Sequence, residues 1–169
     1  RGLDWVIGHV QQNGWPAVAN MSLGGPASPA LDLAVCRSIE AGVPCAIAAG
    51  NESTNACGSS PARILQAIGT GATDDRDRGA SFTNTGRCVD VFGPGVDIRS
   101  ARRHGGSITM KGTSMASPHA AGTAALCLQR NPGADPAVIK QCVLENASGD
   151  KLSNIGEGSP NRLLYTREE

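Results

Sequence analysis

Apolar positions recur along this chain with two different periods, and the alternation between them outlines its architecture. Leu3, Val6, Ile7 and Val10 follow the i, i+3, i+4, i+7 spacing of one helical face, which predicts a helix from Arg1 to about Asn13, stopped by Gly14. A strand is expected around Val18–Leu23. Ser28 then supplies an N-cap and Pro29 a proline at the first helical position, with Leu31, Val35 and Ile39 as a buried stripe and Gly42 as the stop. Pro44–Ala49 is a short continuous apolar run, as a strand buried on both faces requires. Further strands fit Ile64–Ala72, Val89–Phe92 and Ile108–Met110. From Ser114 an alanine-rich helix runs to Asn131-Pro132. Asp135-Pro136 caps a last helix, whose Val138, Ile139, Cys142 and Val143 are expected to face inward. Strands alternating with helices predict an α/β fold: a doubly wound, mostly parallel sheet with helices on both faces.

Composition bounds the partners. The 169 residues suffice for one core, and their 15 basic and 15 acidic side chains balance, giving no basic surface for nucleic acid or an anionic membrane. No apolar run reaches the length of about 18–20 residues that spans a bilayer. No internal repeat or interdomain linker is visible.

Chemistry concentrates in Gly112-Thr113-Ser114-Met115-Ala116-Ser117-Pro118-His119-Ala120-Ala121-Gly122. Gly112 permits a close approach, and Ser114 stands at a helix N-terminus, where free N–H groups and the positive end of the helix dipole can hold a developing oxyanion. This stretch resembles the nucleophile motif of the subtilisin-like serine proteases, the subtilases. Ala48-Ala49-Gly50-Asn51 resembles the segment carrying that family's oxyanion asparagine, and Ser22-Leu23-Gly24-Gly25 its substrate-binding strand. Phe92-Gly93-Pro94-Gly95 and Ser159–Leu164 are similar as well. The proteinase K-like branch is the nearest in pattern.

The resemblance covers essentially the whole chain but only the later part of a subtilase domain, so residues 1–169 read as the C-terminal portion of one catalytic domain. No Asp-Thr-Gly and no His-Gly-Thr-His segment occurs. Three histidines could substitute. His119, five residues after Ser114 on one helix, is displaced by about 140° and more than a turn, out of reach of the hydroxyl. His9 lies off the apolar stripe and reads as a solvated helix residue, and His104 stands in a polar turn. The resemblance therefore implies a serine endopeptidase portion. Ser114 would be its nucleophile, and the Asn51 amide with the Ser114 N–H its oxyanion hole. The catalytic Asp and His would come from a companion N-terminal segment, and the chain alone would be inactive. Polypeptides are the implied substrates, with a propeptide or protein inhibitor as further partner.

Gly24 and Gly25 leave backbone open for an extended peptide, and with Ala48, Ala49 and Gly50 opposite they resemble the walls of an S1 pocket suited to apolar side chains. The matching aspartate of proteinase K-like enzymes binds calcium, which implies a structural calcium here on Asp90 and the carbonyls of Leu65 and Ala67. Six cysteines without Cys-x-x-Cys spacing do not suggest a metal cluster. The resemblance pairs Cys57 with Cys88, and one bridge favours a secreted, extracellular setting. Cys127 and Cys142 either pair or are buried thiols, and Cys36 and Cys45 read as small core residues. Two other readings are a non-catalytic pseudoprotease or peptide-binding fragment, and an unrelated α/β hydrolase. The last is disfavoured because a nucleophile elbow needs glycine where Ala116 stands.

Overall fold

The computed structural model describes residues 1–166. In chain order the elements are α1 (Gly2–Asn13), β1 (Ala19–Met21), β2 (Gly25–Pro26), α2 (Pro29–Glu40), β3 (Cys45–Ala48), a 3-10 turn (Ala56–Gly58) and β4 (Ser59–Ser60). They continue with β5 (Ile68–Thr73), β6 (Val91–Pro94), β7 (Ile98–Ala101), β8 (Ser107–Met110), α3 (Thr113–Arg130), α4 (Pro136–Asn146), β9 (Ser148–Gly149) and β10 (Arg162–Leu163). The main sheet has the order β1-β3-β5-β6-β10-β9. Every pairing in it is parallel except β10 with β9. The α/β expectation is met.

Two apolar layers sandwich this sheet. On one face Ala46, Ile68 and Val91 meet Ala120, Ala124, Cys127 and Leu128 of α3 and Ile139 and Val143 of α4. Alanine on the contacting face of α3 lets the helix axis approach the strands closely, so α3 lies across β1, β3, β5 and β6. On the other face Met21, Ile47 and Phe92 pack with Val35 of α2. Phe92 is fully buried and lies against Gly71 of β5, where a Cβ would overlap its ring.

Local signals placed most helix ends. Gly14 adopts φ 64° and closes α1, and the Ser28 hydroxyl accepts the Leu31 N–H at 3.4 Å with Pro29 at the first turn of α2. Differences appear where tertiary partners decide. The strand expected from Ile64 begins only at Ile68, because Leu65 is exposed and the Leu65 and Ala67 carbonyls turn towards α4 instead of a ladder. Ile108–Met110 does not join the main sheet: β8 pairs antiparallel with β7 as an exposed hairpin. Asp135 makes no side-chain cap to α4, and Val138, expected inside, is exposed. The stripe of α1 is only half covered; none of its residues is fully buried, and the helix rests on α2. His9 is not simply solvated, since its ring stacks on Trp5 and meets the edge of Trp15.

Both candidate cysteine pairs are bridged, Cys57–Cys88 across 31 residues and Cys127–Cys142 across 15. The second ties α3 to α4. Cys36 and Cys45 are free thiols, Cys45 fully buried.

Candidate active site

A cleft of about 730 Å³ opens at the C-terminal ends of β1 and β3, where α3 begins. Ser114, Asn51, Ser22, Leu23, Gly24, Gly25, Ala48, Ala49 and Gly50 all line it. The nine residues singled out from three separate segments thus meet in one place.

Ser114 occupies the second position of α3. Gly112 precedes the helix with φ 147°, a conformation that favours glycine, and its N–H bonds the Gly95 carbonyl at 2.8 Å. Thr113 is fully buried and acts as a clamp. Its hydroxyl oxygen accepts the Gly50 N–H at 3.1 Å, and its own N–H and O–H both donate to Asn51 Oδ1, at 2.8 and 3.0 Å. With Oδ1 held by two donors the amide cannot flip, and its Nδ2 carries no bond among the described residues. The Asn51 side chain is exposed beside Gly112.

The serine is anchored from the other wall. Pro118 has no N–H for the Ser114 carbonyl one turn back, and the Ser22 hydroxyl takes the vacancy, donating to that carbonyl at 2.8 Å. Asn20 fixes Ser22 in turn: its Nδ2 donates to the Ser22 oxygen at 3.0 Å, while Ser117 donates to its Oδ1 at 2.7 Å. The Ser114 hydroxyl has one long bond, 3.4 Å, to the Ser22 carbonyl. No imidazole bonds it among the described residues. His119 bonds the Met115 carbonyl at 2.8 Å on the exposed side of α3. His104 lies in the turn between β7 and β8 with φ 69°.

The loop carrying Asn51 is held from behind by Asn84, buried and unremarked in the sequence. Its Oδ1 accepts the N–H groups of Glu52 and Thr54, each at 3.0 Å, and its Nδ2 donates to the Ala49 carbonyl at 3.0 Å and to Glu52 Oε2 at 2.8 Å. The Asn84 N–H also bonds the Gly50 carbonyl at 3.0 Å. A Cβ on Gly50 would overlap the Asn84 amide, and Gly50 adopts φ 106°, so glycine is required there twice over. Asn84 and Thr113 gave no periodic or charge signal; only the adjacency of Thr113 to Ser114 pointed towards it.

The substrate strand is narrower than expected. Gly25 is already paired, antiparallel with Ser60 of β4, whereas Ser22, Leu23 and Gly24 lie between β1 and β2 outside either strand. Leu23 is exposed.

Asp90 sits outside the cleft. Its carboxylate and the carbonyls of Leu65 and Ala67 do converge, as expected, but on the ammonium of Lys140 from α4, at 2.7–2.8 Å. Burial pushes the Asp90 carboxyl above its ordinary value, against the charge and hydrogen bond of Lys140 and the Gly69 N–H, which favour the ionised form. Among the described residues no set of three or more His, Cys, Asp or Glu side chains gathers as a metal site.

A serine at a helix N-terminus, an asparagine amide fixed beside it and an open backbone segment meet across one cleft, and all three lie in the segments that resemble subtilase motifs. The chain belongs to the subtilase family, whose family model matches residues 1–163. It is 51% identical over 168 residues to the extracellular serine proteinase of Thermus sp. strain Rt41A, a match covering 98% of this chain and 40% of that protein. It is 46% identical over 165 residues to alkaline serine exoprotease A of Vibrio alginolyticus, covering 98% and 30%. Among solved structures, a cold adapted subtilisin-like serine proteinase superposes with a TM-score of 0.92 at 47% identity, over 99% of this chain and 60% of that one. The chain therefore spans well under half the length of these two relatives.

Proposed function

We propose that this chain is the C-terminal portion of a serine endopeptidase domain, with Ser114 as nucleophile, completed by a segment carrying the catalytic Asp and His. In this reading Ser114 Oγ attacks the scissile carbonyl carbon and its proton passes to the companion's histidine. The C–O bond forms and the carbonyl oxygen becomes an oxyanion, met by Asn51 Nδ2 and the Ser114 N–H. Collapse breaks the C–N bond, the histidine returns the proton to the leaving amine, and water hydrolyses the acyl-serine by the reverse proton path. The observation that carries this reading is the double grip of Thr113 on Asn51 Oδ1, which leaves Nδ2 as the free donor next to Ser114.

The substrate is an extended polypeptide that pairs with the backbone of Ser22, Leu23 and Gly24 and places an apolar side chain between Ala48, Ala49 and Gly50. The companion segment adds beside β1, which pairs only with β3 among the described residues, and covers the half-exposed stripe of α1. Two disulfides and a relative named extracellular support secretion.

In the full-length protein Asn51→Ala should lower kcat about 100- to 1,000-fold with KM little changed, the cost typical of one lost oxyanion donor. The 169-residue chain without its companion should leave a fluorophosphonate probe unreacted. Labelling of the isolated chain, abolished by Ser114→Ala, would place a base inside it and refute the division of the triad. A fall in binding as large as the fall in kcat would remove Asn51 from the oxyanion hole.

A further inference from the structure

The oxygens that the family resemblance assigns to calcium are held by a lysine. Lys140 Nζ lies 2.7 Å from the Leu65 carbonyl, 2.7 Å from the Ala67 carbonyl, and 2.8 Å from each oxygen of Asp90. These are lengths of charge-assisted N–H···O bonds, and an ammonium has three protons for them: one for each carbonyl and one for the carboxylate. Calcium asks for six to eight oxygens at about 2.3–2.6 Å. Here four are gathered, and a fixed positive charge stands at their centre. The Lys140 and Asp90 side chains are 17% and 18% exposed, so the pair is largely withdrawn from water and screening is weak.

We propose that Lys140 is a tethered cation that replaces calcium at this site, and that removing its ammonium converts the Leu65, Ala67 and Asp90 oxygens into a calcium site. The single charge of the ammonium balances the single Asp90 carboxylate, where calcium would leave one positive charge over. One carboxylate and two carbonyl dipoles are neutralised by one ammonium, and two cations cannot share oxygens this close together. Calcium enters the intact protein only by expelling Lys140 from its three hydrogen bonds. Either cation ties the segment before β5 to the start of β6, and the lysine also ties both to α4. The dependence differs. A bound ion stabilises by an amount that vanishes as its concentration falls, whereas the lysine of α4 is present at fixed effective concentration and survives a chelator.

The test compares the full-length parent with Lys140→Ala, which opens space for an ion, and Lys140→Met, which keeps the stem and loses the charge. Each is also made with Asp90→Asn. Bound calcium is counted by equilibrium dialysis, and the melting temperature is read in calcium and in chelator. Lys140→Ala should bind one more calcium than the parent and gain several degrees more from it, with both gains lost on adding Asp90→Asn. Lys140→Met, its stem still filling the site, should melt lower than the parent in both media. In the parent, the 15N resonance of the Lys140 ammonium should persist unchanged at millimolar calcium, a measurement that needs no variant. Its loss on adding calcium would overturn the proposal, because calcium would then already displace the lysine. A folded Lys140→Ala protein with no extra calcium would overturn it equally, leaving the pair as an ion pair alone.

Discussion

Replacing Asn84 by alanine separates the support of the Asn51 loop from the oxyanion role proposed for Asn51. The side chain satisfies three backbone groups of residues 49–54 at once: the Ala49 carbonyl and the Glu52 and Thr54 N–H groups. These losses are unequal. Ala49 is fully buried, so its carbonyl would lose its partner where water does not reach, at about 1–3 kcal/mol. Glu52 and Thr54 are exposed, water can take over there, and each costs about 0.5–1 kcal/mol. The sum is about 3 kcal/mol, a few degrees in the melting temperature of a protein of full-length size. The kinetic consequence is more specific. Asn51 lies between Ala49 and Glu52, both released, while Thr113 still grips its Oδ1, so the amide keeps its bond but loses its rigid base. A donor displaced by a fraction of an ångström supports the oxyanion poorly, and kcat should fall about 10- to 100-fold with KM changed less than about twofold. The assay is peptide hydrolysis by the full-length protein below its melting transition, beside thermal unfolding. An unchanged kcat with the full loss of stability would show that Thr113 alone positions Asn51 and that Asn84 only fills the core.

Two further outcomes test the packing. Opening Cys127–Cys142 by the paired change to serine should cost about 3 kcal/mol from a 15-residue loop, and opening Cys57–Cys88, which closes 31 residues, about 3.7 kcal/mol; calorimetry that ranks them in the opposite order would show native-state contacts outweighing loop entropy. Burial pushes the Cys45 thiol from its ordinary value of 9.0 up to about 11, so between those values the unfolded chain gives up a proton that the folded chain keeps. Stability is then intact below pH 9 and falls by about 2–3 kcal/mol as the pH rises to 11, a loss that Cys45→Ala should remove; denaturant titrations with the same alkaline slope in both proteins would refute this.

What could be read from the sequence was whatever neighbours in the chain decide. Ser28-Pro29 caps α2 because an N-cap needs only the next three residues, and Cys45–Ala48 is a central strand because both its faces are buried, which a continuous apolar run reports. The Ser114 segment was legible because the residues that carry the family resemblance, Gly112, Thr113 and Ser114 among them, are consecutive. The β7–β8 hairpin was legible in one strand only: Ile108–Met110 was expected and is found in β8, whereas β7 and a pairing apart from the main sheet were not. Two-residue strands such as β9 and β10 leave no period at all. Long-range polar partners were hidden more thoroughly. Asn84 reads as one more residue of a polar loop until Ala49, 35 positions earlier, turns out to face it. Lys140 is the sharper case, because a helical lysine reads as solvated while its partners lie 50 to 75 residues away. The family resemblance, and not local pattern, grouped Asp90 with the Leu65 and Ala67 carbonyls, as ligands of calcium, and left Lys140 out. Local pattern cannot say which cation meets them. That choice belongs to another element of the fold: the ammonium that meets the Leu65, Ala67 and Asp90 oxygens comes from α4, on a residue that lies 50 to 75 positions from them.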